Sequence, residues 1–142
     1  MTTVNTYLTF NGNCETAFNF YKAAFGVEFE MVSKFKDMPP DPNLKISDED
    51  KEKIMHVSMP IGNTVLMGSD TGGELANGYK AGNNFSVSIN AGSKDEAERL
   101  FNVLSENGQI MMPMDKTFWG SYFGMFTDQY GIQWMVSFSE GK

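Results

Sequence analysis

An internal repeat constrains this chain more than any other feature. Shifted by eighty positions, Gly12 falls on Gly92, Ala17 on Ala97, Phe20 on Leu100, Tyr21 on Phe101 and Ala24 on Leu104. In each copy the apolar residues recur at three- and four-residue intervals, which makes one stripe of an α-helix. Each stripe follows a short strand-like run. Two helical stripes in one register after the same kind of strand point to a duplicated unit.

The elements of the first copy follow from local chemistry. Residues 4–10 are rich in β-branched and aromatic side chains and stop at Asn11-Gly12, so they predict a strand. A helix opens at Asn13 or Cys14 with the stripe Ala17, Phe20, Tyr21, Ala24 and Phe25, and Gly26 closes it. Strands are expected over 27–36, 54–61 and 64–69, the last two joined by the Gly62-Asn63 turn. Residues 37–53 carry three prolines and dense charge and read as an exposed loop, either a solvated connector or a lid; Ser47 and Asp50 suit one helical turn within it.

The second copy has the same order. Residues 84–90 alternate polar and apolar, and Ser93 with Glu96 three residues later forms a capping box before the stripe Ala97, Leu100, Phe101 and Leu104. A strand over 109–114 follows. Two more, 122–127 and 132–138, flank an Asp-x-x-Gly turn at Asp128–Gly131 in which glycine is free to take a positive φ. The expected organisation is one α+β domain made of module one, 1–69, a glycine-rich linker, 70–83, and module two, 84–142.

Composition narrows the partners. With 11 basic and 18 acidic residues the 142-residue chain carries a net charge of −7 and no basic cluster, which argues against nucleic acid or an anionic membrane surface. The first ten residues contain no basic start followed by a long apolar run, so neither a secretory leader nor a membrane span is expected. The single cysteine, Cys14, excludes an intramolecular disulfide and suits a reducing cytoplasm. One Cys and one His supply too few ligands for a zinc site without carboxylates.

Three stretches, YLTFNGNCETAFNFYKAAFG at 7–26, MHVSMPIGNTVLMGSD at 55–70 and TFWGSYFGMFTDQYGIQW at 117–134, resemble the vicinal oxygen chelate superfamily (glyoxalase, bleomycin resistance and dioxygenase proteins), and within it the PhnB-like branch. The resemblance runs in order along nearly the whole chain. It implies two tandem βαβββ modules forming a curled mixed sheet around a shared cavity, in a homodimer. Metalloenzymes of the superfamily hold a divalent ion with His, Gln or Glu on four strands. Carried over one at a time, those positions fall on Thr6, Leu66, Ser86 and Met135. Hydroxyls bind such ions weakly, leucine not at all, and a thioether suits soft metals. A register error of one residue offers Asn5, Tyr7, Met67, Phe85, Val87, Trp134 or Val136, which serve no better. The resemblance therefore implies a cavity without the usual metal and without a cofactor. It also brings a name, a ubiquinone-pathway methyltransferase. The βαβββ repeat offers no parallel α/β sheet for a methyl donor, and no Gly-x-Gly-x-x-Gly opens a helix after a strand.

Few residues bear chemistry. His56 is the only histidine, and strand alternation puts it with Ile54 and Ser58, opposite Met55, Val57 and Met59. It reads either as a hydrogen-bonded wall residue or as a weak candidate for a general base. Cys14 starts a helix, where amides favour a thiolate, yet no partner accompanies it, and it reads as inert. Trp134 belongs to the core, whereas Trp119 precedes the last hairpin as a cavity-lip candidate. Many of the eleven methionines fall in expected strands, where they suit an adaptable lining.

The leading expectation is a small-molecule-binding protein, cytoplasmic and homodimeric. Its ligand would touch Thr6, Phe10, His56, Ser86, Ser88, Trp119, Phe123 and Met135. The alternatives are a metal-dependent lyase, isomerase or dioxygenase, with Asp70, Glu74 or Asp128 reaching in from loops, and a metal-free enzyme using His56 as base. The residues do not decide between binding module and enzyme.

Overall fold

Strand, helix and three further strands form in each half in the expected order, although the strand expected over 27–36 is confined to Met31–Lys34 and that over 84–90 to Val87–Asn90. The computed structural model describes residues 2–39, 41–43, 46–72 and 77–139. Module one comprises β1 (Thr6–Phe10), α1 (Cys14–Phe25), β2 (Met31–Lys34), β3 (Ile54–Ile61) and β4 (Thr64–Asp70). Module two repeats it as β5 (Val87–Asn90), α2 (Lys94–Leu104), β6 (Gln109–Lys116), β7 (Ser121–Thr127) and β8 (Gln133–Ser139). The chain divides into two compact units, Met1–Lys80 and Ala81–Lys142.

Each module builds its own four-stranded mixed sheet, ordered β1-β4-β3-β2 and β5-β8-β7-β6. In both, the first strand pairs parallel with the last and the remaining pairs are antiparallel. The duplicated βαβββ unit is therefore real down to strand order. No helix among the described residues is long and apolar enough to cross a membrane.

One face of each sheet buries its helix. Cys14, Ala17, Phe18, Tyr21 and Ala24 form the buried stripe of α1, and Ala97, Leu100, Phe101 and Leu104 that of α2. Phe18 replaces the expected Phe20, because the stripe of α1 turns toward Phe10, whose ring meets Phe18 edge-on at 6.1 Å. A glycine beneath each helix lets an aromatic ring settle on the sheet. A Cβ on Gly68 would stand 2.6 Å from Phe18, and one on Gly124 would stand 2.7 Å from Phe101.

The two helices start differently. Ser93 accepts a hydrogen bond from the Glu96 amide at 3.1 Å, which is the N-cap half of the expected capping box, while the Glu96 carboxylate accepts from Arg99 Nε instead. Asn13 makes no side-chain cap at α1. There the Asp70 carboxylate, arriving at the end of β4, accepts from the amides of Gly12 and Cys14 at 2.9 Å each. Its second oxygen accepts from the Ile54 amide, also at 2.9 Å, tying β3 and β4 to the helix start.

The closing hairpin of module two has the turn its sequence announces. Gly131 takes φ +89°, and Asp128 Oδ1 accepts from the amides of Tyr130 and Ile132. Asp128 Oδ2 accepts from Trp134 Nε1 at 2.8 Å, which fixes that buried indole against the turn.

Candidate functional site

A sheet that buries one face under a helix leaves side chains on the other face available for binding, so the strand registers identify the candidate surface. In module one Leu8 and Phe10 are buried on the α1 side, and alternation places Thr6 with them. The expected contacts Thr6 and Phe10 are thus corrected. They face the helix, and Leu66, the register partner of Thr6, is buried there too. The position carried over to this strand lies one residue out, and a one-residue slip in a strand exchanges its faces.

Tyr7 and Thr9 occupy the face turned away from α1, beside Met67 and Ser69 of β4. From β3 the same face receives Ser58, which is opposite Met67, and His56, which is opposite Ser33 of β2. His56 thus points away from the helix, as expected of it. Ile54 does not accompany it. A bulge at Ser33/Lys34 shifts the pairing, so Ile54 is buried beside Val57 instead.

On this face the Tyr7 and His56 rings lie 5.8 Å apart at 34°. Neither side chain has a hydrogen-bond partner among the described residues, and both remain partly open to solvent. Ser33 Oγ is buried and also has no partner among the described residues. A phenol, an imidazole and hydroxyls on adjacent strands make a surface that donates and accepts hydrogen bonds beside one aromatic wall.

The module-two face away from α2 has a different character. Ser88, Met135, Met125 and Met112 stand in one row across β5, β8, β7 and β6. Phe123 stands opposite Ser137 in the adjoining row. Ser137 Oγ donates to Asn90 Oδ1 at 3.1 Å. The expected contacts Ser88, Phe123 and Met135 therefore share one face. Ser86 lies just before β5, half-buried. Trp119 sits in the turn between β6 and β7, 60% exposed, with its ring edge-on to Phe123 at 6.3 Å. Sequence reasoning passed over Ser33 and Ser69 and offered Tyr7 only as a register alternative. The alternation of Leu8 and Phe10 with polar neighbours was the available signal.

The residues present do not fit the superfamily's metal. With the strand registers corrected, the positions are Tyr7 opposite Met67 and Ser88 opposite Met135, a phenol, a hydroxyl and two thioethers. Among the described residues no three His, Cys, Asp or Glu side chains come together. Asp70 and Asp128, considered as loop ligands, are buried and each binds three N–H groups. Glu74 lies outside the described residues. Cys14 is fully buried, and burial first, then the Asp70 and Glu15 carboxylates, push its thiol well above the usual range. It is a core residue and no nucleophile.

With this geometry established, comparison with known proteins places the chain. A sequence model described as 3-demethylubiquinone-9 3-methyltransferase matches residues 2–137. The chain belongs to this PhnB-like family. It is similar to the crystal structure of protein PA1353 from Pseudomonas aeruginosa, with 40% identity, 98% of each chain covered and a TM-score of 0.83. Protein YjdN of Escherichia coli K12 is 29% identical over 92% of this chain and 91% of its own. The structure of a putative 3-demethylubiquinone-9 3-methyltransferase, PhnB protein, from Bacillus cereus aligns over 97% of this chain and all of its own, at 21% identity and a TM-score of 0.74. A glyoxalase/bleomycin resistance protein/dioxygenase family enzyme from Burkholderia phytofirmans PsJN, at 13% identity and a TM-score of 0.62, and the fosfomycin resistance protein FosX from Listeria monocytogenes, at 8% identity and a TM-score of 0.64, share the fold.

Proposed function

We propose that this PhnB-like protein binds a small, planar, hydrogen-bonding molecule on the sheet faces turned away from its helices, without the metal centre of its superfamily. One observation carries the reading. Tyr7 and His56 stand ring to ring at 5.8 Å on the open face of module one, with no hydrogen-bond partners among the described residues. Partly exposed aromatic and imidazole groups left unsatisfied on a rigid sheet are suited to a ligand that stacks and hydrogen-bonds. Met125, Met135 and Phe123 supply a conformable apolar surface in module two.

Homodimerisation in the cytoplasm belongs to the same reading. The exposed Ile110, Met111 and Met112 on edge strand β6 favour association, and the lone buried thiol suits a reducing compartment. The methyltransferase chemistry in the family's description is set aside. Each sheet has a single parallel pair, with the other pairs antiparallel, instead of the run of parallel strands of a parallel α/β cofactor fold.

The test combines metal analysis of the purified protein with thermal shifts against divalent ions, EDTA and a panel of planar heteroaromatic compounds. Stabilisation by compounds from the panel, reduced in Tyr7→Ala and His56→Ala, is the expected result. Stoichiometric metal whose removal by EDTA lowers the melting temperature would overturn it. A second reading, a metal-free enzyme with His56 as base, is favoured by the same unpaired imidazole. A turnover abolished by His56→Gln with ligand affinity retained distinguishes it from pure binding.

A further inference from the structure

We infer that the α2 side of the module-two sheet carries a separate pocket for a small aromatic monocarboxylate. The pocket, of about 280 Å³, is lined by Lys94, Asp115, Lys116, Gly120, Tyr122 and Phe138. Its floor is one row across three strands, since Lys116 stands opposite Tyr122 and Tyr122 opposite Phe138. Its roof comes from α2, whose first residue, Lys94, holds its Nζ 4.8 Å from the centroid of the Tyr122 ring. The Tyr122 hydroxyl donates to Glu98 at 2.8 Å, so the ring is held between helix and sheet.

The charges decide the ligand class. Lys22, Lys34, Lys36, Lys51, Lys53 and Arg99 all have carboxylate partners. Lys94 and Lys116, like Lys80 elsewhere in the chain, have none within ion-pair distance among the described residues, although the chain carries a net charge of −7. Two unpaired ammonium groups at one pocket complement a carboxylate. Phe138, beside the Tyr122 ring that Lys94 covers, adds apolar area to the lining for an aromatic body, which a bare oxyanion cannot use. Asp115, its carboxylate accepting from the Lys116 amide at 2.8 Å, adds a negative charge at the wall and disfavours a dianion. The hydrogen bond to Glu98, then burial, then the Glu98 and Asp115 charges hold the Tyr122 phenol above its usual range, so the ring that Lys94 covers stays neutral.

Amide-resolved NMR on the full chain tests the inference, with sodium benzoate, benzamide and inorganic phosphate added at matched ionic strength. Benzoate is expected to shift the amides of Lys94, Lys116, Gly120 and Tyr122 saturably. The exposed lysines can be replaced without touching the core, and Lys94→Met with Lys116→Met should weaken benzoate at least about tenfold. Absence of saturable shifts at these amides overturns the inference, as does equal binding of benzamide or unchanged affinity in the double variant. Phosphate binding as tightly as benzoate overturns the aromatic class. Because the pocket lies on the helix side of module two, none of these results depends on the Tyr7–His56 surface.

Discussion

Modules one and two repeat one strand order and one parallel pair, yet they anchor their helices by opposite means. Module two caps α2 with its own neighbours, Ser93 and Glu96, three residues apart. Module one has no local cap and borrows the Asp70 carboxylate from fifty-six residues beyond Cys14, at the far end of its last strand. The same carboxylate ties β3 through the Ile54 amide. The difference is one of cooperativity. α2 has its start signal before the sheet forms, whereas α1 is completed only when β4 has paired with β1. Module one is thereby the more interdependent of the two.

The sharpest way to break this comparison is Asp70→Ala. It leaves three amides without their acceptor, those of Cys14 and Ile54 buried and that of Gly12 part-buried, and should cost about 4 kcal/mol, read from urea denaturation. A loss no larger than that of the local cap would refute the interdependence of module one.

Next come the glycines beneath the helices. Gly68→Ala should cost about 2–3 kcal/mol, and Gly124→Ala about 1–2 kcal/mol. A methyl group on Gly68 meets the Leu8 carbonyl at 3.0 Å as well as Phe18, whereas the three atoms nearest to one on Gly124 all belong to the Phe101 and Met114 side chains, which can move. Equal melting temperatures for the two variants would show that the backbone contact does not matter.

Ser93→Ala removes the local cap of α2 and should cost about 1 kcal/mol. Its effect should appear as earlier amide exchange in the first turn of α2, leaving α1 unchanged.

The smallest effect has the opposite sign. Ser33→Ala deletes a buried hydroxyl that has no partner among the described residues and should raise stability by about 0.5–1 kcal/mol. If that hydroxyl serves the proposed ligand, the variant should bind more weakly while melting higher. A stabilised variant with unaltered binding would reduce Ser33 to an unmet structural cost.

The two sheet faces proposed for binding extend the contrast. Module one presents Tyr7, His56 and Ser69, and module two presents Met135, Met125 and Phe123. On the second face Met135 follows from the superfamily resemblance, four residues past the glycine of the Asp-x-x-Gly turn that Asp128 holds, and Ser88 and Phe123 share its side of the sheet. The first face was read one residue out. Helix register survives an eighty-residue shift because a stripe is several residues wide. A strand tolerates no such error, since its faces alternate at every residue.

The sequence by itself determined the duplicated βαβββ order, both helices, the turns at Gly62 and Gly131 and the cap at Ser93. All of these depend on contacts between residues close along the chain. Only the tertiary structure decided that Thr6 and Phe10 face α1, that a bulge in the β2–β3 pair sends Ile54 to the core, and that Asp70 is a helix cap instead of a loop ligand. Those outcomes depend on which strand pairs with which and at what offset. That is settled by packing between residues many positions apart, and no local pattern encodes it.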